Sequence, residues 1–162
     1  MEPIAMLLAS EEIKQLKARY FQHLDFKEWA QLAQVFTTDA LIDYSEHARD
    51  LIEQHGRNEL KPAPEQWIFT GGAAAVAFLQ PLLTTVISVH RGHDPQVQVT
   101  GSHTATGRWS LYDRLEFKDE VYHGHGYYLE DYRWVDGRWL ISRLVLKRQR
   151  SVLEAKPVSS PG

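Results

Sequence analysis

The dominant hydrophobic period of this chain changes at Thr84. Before that point apolar residues recur mostly at the three-and-four spacing of helices. After it they alternate with polar residues, which is the period of strands. Ser10 can cap a helix whose first turn holds Glu11 and Glu12, with Ile13, Leu16, Tyr20 and Leu24 as its inward stripe. The pattern breaks at Asp25. Asp25 and Glu28 have capping-box spacing for a second helix, whose apolar face is Trp29, Leu32, Ala33 and Phe36. Residues 40–45 alternate as a strand. Residues 46–66 are polar and charged and contain Pro62 and Pro64, so a long loop with room for one helical turn is expected there. A loop of that length in a small domain is usually a lid or a binding loop. Residues 70–83 are Ala-rich and predict a third helix.

Beyond Thr84 the segments 85–90, 96–100, 103–117, 122–135 and 138–148 all read as strands. Lys118-Asp119-Glu120 turns one pair, and Asp136-Gly137 is a two-residue hairpin signal. Residues 151–162 are rich in Pro and Ser and are expected to fray as a flexible tail. Helices first and a long sheet afterwards is an α+β pattern. Strands this long must twist, so the expected form is a cone-shaped α+β barrel: N-terminal helices packed on a strongly curved antiparallel or mixed sheet, as one domain over residues 1–150. Such a cone has one open mouth and a mostly apolar pocket with a few polar groups inside.

Composition excludes several classes. The 162 residues are the length of one domain, and 43% hydrophobic content fills one core. Eighteen Lys+Arg stand against 21 Asp+Glu, so the formal charge is −3 and gives no general grip on nucleic acid or anionic lipid. The basic run Lys147-Arg148-Gln149-Arg150 is short and isolated. There is no cysteine, hence no disulfide, thiolate metal site or Cys nucleophile. No apolar run approaches the ~20 residues of a membrane span. The apolar patch 4–9 follows Glu2 and Pro3 with no Lys or Arg before it, which does not make a signal peptide. A soluble, cytoplasmic protein is the expectation.

Five imidazoles cluster along the sheet half: His90, His93, His103, His123 and His125. His123 and His125 share a strand face and are followed by Glu130 and Gly137, as in half of a cupin metal motif. Phe117 stands where that motif has its leading glycine, and no histidine follows His125, so no metal site is expected. His90 ends the apolar strand Val86-Ile87-Ser88-Val89-His90, just before Gly92 and Pro95. From pattern alone it reads as a structural histidine bonded to a backbone carbonyl, and Asp25 reads as a helix cap. The functional alternative is that Asp25 points inward and orients a histidine, fixing its tautomer for proton transfer. Asp113 lies on an apolar strand face with Trp109, Leu111 and Leu115, where a carboxylate needs a partner. Arg108, Arg114 and Arg148 are candidates for a structural ion pair, and a cavity role stands beside that reading. Tyr20 is on the inward helical stripe and Tyr44 alternates with Ile42, so each hydroxyl needs a partner if buried.

Taken together, Tyr20-Phe21-x-x-Leu24-Asp25, His90-x-Gly92-His93-x-Pro95, Thr104-Ala105-Thr106-Gly107-Arg108-Trp109 and Asp113-Arg114-Leu115 resemble the SnoaL-like branch of the nuclear-transport-factor-2-like superfamily. Within that branch the likeness is nearest to bacterial bile-acid 7α-dehydratases, and more distant to scytalone dehydratases and hexachlorocyclohexane dehydrochlorinases. It runs from about Glu12 to Arg150 and lapses through 46–66. The resemblance implies an Asp–His dyad, with Asp25 as the carboxylate and His90 as the histidine. It implies that Tyr20 helps hold the substrate's oxygen and that Asp113 is a further acidic cavity residue. Tyr44 and Arg148 match substrate-binding positions. The resemblance also implies that neither a metal nor an organic cofactor is needed, that the partner is a small hydrophobic molecule rather than nucleic acid or membrane, and that the chain forms a homo-oligomer, dimer or trimer. The expected activity is that of a dehydratase-like lyase or isomerase on a bulky apolar alicyclic substrate (steroid, terpenoid or polyketide), with a polyketide-type cyclase or a non-catalytic binding or assembly module as alternatives.

Overall fold

The computed structural model describes residues 1–158; the last part of the expected tail, 159–162, lies outside the described residues. In chain order the elements are α1 (Pro3–Asp25), α2 (Trp29–Ala33), β1 (Phe36–Asp43), α3 (Ser45–His55), a 3-10 turn (Pro64–Gln66), β2 (Ile68–Thr70), α4 (Gly72–Leu83), β3 (Ile87–Val99), β4 (Thr104–Glu116), β5 (Glu120–Val135) and β6 (Arg138–Ala155). The strands form one mixed sheet in the order β2-β1-β6-β5-β4-β3. Only the β1–β6 pairing is parallel. The sheet is not closed. It curls around the helices as an α+β cone, the form expected from the change of period.

Several boundaries differ from expectation. The first helix starts at Pro3, so Ser10 lies inside it rather than at its cap. Pro occupies the start, where its missing N–H costs nothing, and Ala, Met and Leu between 5 and 9 are strong helix formers. Asp25 does not cap α2. Glu28 holds the N-cap position, with no side-chain cap bond, and its carboxylate turns back to His23 Nδ1 at 2.5 Å.

The expected loop at 46–66 contains the three-turn helix α3, which stops at Gly56 in the left-handed conformation (φ 65°). The buried carboxylate of Asp50 ties this helix to the sheet, accepting from Tyr122 Oη at 2.9 Å and Ser151 Oγ at 2.6 Å. For the same reason 151–155 does not fray. It continues β6, pairing Ala155 with Glu120. The strands expected at 85–90 and 96–100 are one strand with a bulge after His93, where Asp94 has φ 49° and Pro95 follows. A bulge is where a strand tolerates proline. The Asp136-Gly137 hairpin is as expected, both residues having positive φ as a type I′ turn requires.

The core lies between the helices and the concave face of the sheet. The stripe Ile13, Leu16, Tyr20 and Leu24 is buried there, together with Lys17, a residue the apolar pattern skips. Lys17 pairs with Glu130 of β5, and both side chains are fully buried. Tyr132 donates its hydroxyl to Glu130, and Trp109 Nε1 donates to Tyr132 Oη at 3.0 Å. The ammonium also lies 3.6 Å from the ring centre of Tyr128 and 4.1 Å from that of Tyr20. Burial pushes Lys17 down to about 8 against the raising pull of Glu130. This pair seats α1 on the strand that lines the site.

Candidate active site

A cavity of about 210 Å³ opens between α1, α3, α4 and the concave face of β3–β6. Its wall is mostly leucine with aromatic rings, and the polar groups that reach it come from Tyr20, Tyr44, His47, His90, Asp113 and Tyr128, with Lys61 as a further charged residue on its wall. Period-two alternation supplies this wall: on β4, Asp113 and Leu115 line the cavity, and Leu111 on the same face is buried in the core.

His90 is brought to the cavity by β3, directly opposite Asp113 in the β3–β4 register. Behind it stands Asp25, the last residue of α1. Asp25 Oδ1 accepts from His90 Nδ1 at 2.6 Å, and Oδ2 accepts from the His90 backbone N–H at 2.8 Å. Ser88 Oγ also donates to Oδ1 at 3.0 Å, and Lys27 Nζ donates to Ser88 at 2.8 Å. A carboxylate at a helix C-terminus faces the negative end of the helix dipole. Here three donors and a nearby ammonium offset that. Because an ionised carboxylate only accepts, Nδ1 is the His90 nitrogen that donates to Asp25, and in the neutral ring Nε2 is then bare. Among the described residues no group bonds Nε2. Phe21 stacks beside the imidazole with ring centres 6.4 Å apart. Gly92 is required there, since a Cβ at that position would strike the Phe21 ring.

Tyr20 and Tyr44 share a hydrogen bond, Oη to Oη at 2.9 Å, and both are buried. Burial holds both phenols well above their ordinary range, so both stay protonated. Either oxygen can be the donor, and Tyr128 stands beside Tyr20 as a third phenol of the group. Asp113 is paired with Arg148: Nη1 to Oδ1 at 2.5 Å and Nη2 to Oδ2 at 2.9 Å. Burial alone would raise the Asp113 carboxyl, but the guanidinium outweighs it and holds the group at about 2. Arg148 does not border the cavity. It stands behind Asp113, and its Nη2 also donates to His47 Nδ1 at 3.0 Å. Gly124 of the His123-Gly124-His125 run makes this pair possible, because a Cβ there would collide with both Arg148 and Asp113.

Of the residues singled out from sequence, Tyr20, Tyr44, His90 and Asp113 converge on the cavity, while Asp25 and Arg148 lie one layer behind it. Sequence reasoning misses His47, Tyr128 and Lys17. His47 is hidden in the segment expected to be a loop. A helix signal is present there: Ala48, Leu51 and Ile52 at helical spacing, with Gly56 as a stop. Tyr128 stands in an aromatic run that reads as sheet packing alone.

An α+β cone with helices laid over the concave face of an open, curled sheet is the fold of the nuclear-transport-factor-2-like superfamily. Within it, the chain belongs to the SnoaL-like domain family, which matches residues 5–145. Solved structures with the same fold include a proposed scytalone dehydratase from Novosphingobium aromaticivorans, with a TM-score of 0.75 and 19% identity over 99% of this chain and 100% of that one. They also include a hexachlorocyclohexane dehydrochlorinase, LinA type 2, with a TM-score of 0.76 and 14% identity over 99% of this chain and 98% of that one. A third is a single-residue variant of Rv3472 of Mycobacterium tuberculosis, whose function is unknown. It has a TM-score of 0.72 and 21% identity over 93% of this chain and 78% of that one. These likenesses show the fold. The resemblance to bile-acid 7α-dehydratases stays one of sequence motif. No helix among the described residues is long and apolar enough to cross a membrane.

Proposed function

We propose that this chain is a cofactor-independent, dehydratase-like lyase or isomerase acting on an apolar alicyclic molecule of the steroid, terpenoid or polyketide kind. The observation that carries the reading is the 2.6 Å contact between Asp25 and His90 at the wall of an apolar cavity. His90 Nε2 takes a proton from carbon and returns it to a leaving hydroxyl. Asp25 holds the ring in the tautomer that leaves Nε2 basic, and stabilises the imidazolium once it forms. A hydroxyl proton of the Tyr20–Tyr44 pair is donated to an oxygen where charge develops. Asp113 anchors Arg148.

The alternative of a polyketide-type cyclase would make Asp113 the base. Two hydrogen bonds from Arg148 and a carboxyl held at about 2 make Asp113 a weak one, which favours His90. The names of a proposed scytalone dehydratase and of a hexachlorocyclohexane dehydrochlorinase among the neighbours both denote eliminations, and the present reading is in line with that chemistry. The outer face of the sheet, where Tyr112 bonds His123 and Arg108 lies over Tyr127, is the surface we assign to a homo-oligomer, dimer or trimer.

The test is a mass-spectrometric screen of hydroxylated alicyclic ketones and steroids for loss of water. On a substrate so found, His90→Ala should lower kcat by about 10²–10⁴ with the fold intact. Full turnover by that variant would remove His90 from the mechanism.

A further inference from the structure

The cavity is bordered by a second imidazole, that of His47, in a chemical state opposite to that of His90. Arg148 Nη2 lies 3.0 Å from His47 Nδ1, and a guanidinium can only donate. The lone pair of His47 must therefore sit on Nδ1, so a neutral ring carries its proton on Nε2. Protonating Nδ1 would set an N–H against the guanidinium. The charged and titratable groups around the ring are Arg148 and Asp113 from β6 and β4, Asp50 from α3 itself, and His90 from β3. Tyr122 of β5 meets the ring edge-on at 4.9 Å, and Trp67 lies 5.9 Å away. Burial first, and then Arg148, push His47 down to about 3, so it is neutral across the working range. Among the described residues no group bonds its Nε2. His90 is the mirror case: its Nδ1–H goes to Asp25, and its bare Nε2 is left to the ligand.

We propose that His47 is a neutral Nε2–H donor that binds an oxygen of the substrate, and that the substrate is a small oxygenated alicycle with a carbonyl or enolate oxygen at that end. The proposal deepens the reading of this cavity as the active site and rests on it. A neutral imidazole set in place beforehand suits a developing oxyanion, since it donates without losing its own proton. Size narrows the class. The cavity of about 210 Å³ is smaller than the ~300–1,000 Å³ pockets that enclose drug-sized ligands. It encloses a mono- or bicyclic ring system, and any larger skeleton must project through the mouth.

Two measurements on the full chain test this. The first is NMR of isotope-labelled histidine at neutral pH. His47 should show a protonated Nε2 and a bare Nδ1, and His90 the reverse. A protonated Nδ1 or an imidazolium at His47 overturns the proposal. The second is calorimetric binding of the bicyclic ketone decalone against decalin, the same skeleton without the oxygen. The native chain should prefer decalone by about tenfold, the worth of one hydrogen bond. His47→Phe should bring the two ligands within about twofold, whereas His47→Gln, which keeps an N–H near the same place, should retain most of the preference. No preference in the native chain, or an undiminished preference in His47→Phe, overturns the proposal. Turnover is read in His90→Ala and the decalone preference in His47→Phe, so a failure of His90 in turnover and a failure of His47 in binding are told apart.

Discussion

His90 and His47 border one cavity but are held by opposite chemistry. An acceptor, Asp25, grips His90 through Nδ1–H, whereas a donor, Arg148, grips His47 through a bare Nδ1. On the proposed reading the same side chain serves as a base at one wall and as a donor at the other. What differs is one partner atom, and the partners are set by the fold: Asp25 by the end of α1, Arg148 by β6 and its carboxylate on β4. The comparison teaches that in a greasy cavity the second layer, more than the residue type, decides what a histidine can do.

The most damaging change to that contrast is Asp25→Asn. An amide can donate to His90 Nδ1 and so turn the ring to the wrong tautomer. We expect kcat to fall by about 10²–10⁴ while thermal unfolding still shows a folded protein. Retained turnover would mean that the partner does not set the state of His90. Next is Arg148→Ala, which strands Asp113, a carboxylate whose side chain is only 3% exposed. Removing one member of a buried pair costs about 3–5 kcal/mol, readable as a fall in the urea midpoint. Gly124→Ala should move the midpoint the same way by crowding the pair.

A subtler probe is pH. The folded pKa of His47, about 3, lies below the ordinary value of 6.5. The unfolded chain therefore binds a proton that the folded chain lacks between those values. The His47 contribution to stability should be complete above about pH 6.5 and fall with acid down to about 3. His47→Gln should flatten that slope, leaving the loss near pH 4 to 2 that comes from Asp113, whose folded pKa is depressed to about 2. An unchanged slope in His47→Gln would contradict the donor state assigned to His47. The smallest effect is expected from Tyr20→Phe, which removes one hydroxyl of the Tyr20–Tyr44 pair and should cost about 0.5–1.5 kcal/mol of stability.

Legibility follows the same division. The His90 wall can be read because period-two strands and the Asp136-Gly137 turn are local signals, and because Asp25 and His90 lie in motif segments. The reading of Asp25 as a cap fails because the partners that claim its oxygens, His90 and Ser88, are more than sixty residues away. The His47 wall is not legible in the same way. Its helix α3 is rich in charge, and such a pattern imitates a loop although Gly56 marks a helix end. Lys17 escapes for a related reason: a lysine on an apolar stripe looks solvent-bound until Glu130, 113 residues away, is brought beneath it. Residues whose state depends on a distant partner are the ones that local pattern cannot describe.

Proton removal from carbon by His90 is best tested through exchange of the hydrogens next to the carbonyl of bound decalone in deuterated water. The native chain should speed that exchange, and His90→Ala should slow it by about 10²-fold or more at saturating decalone. Exchange at the native rate in His90→Ala, or no acceleration by the native chain, would contradict the account.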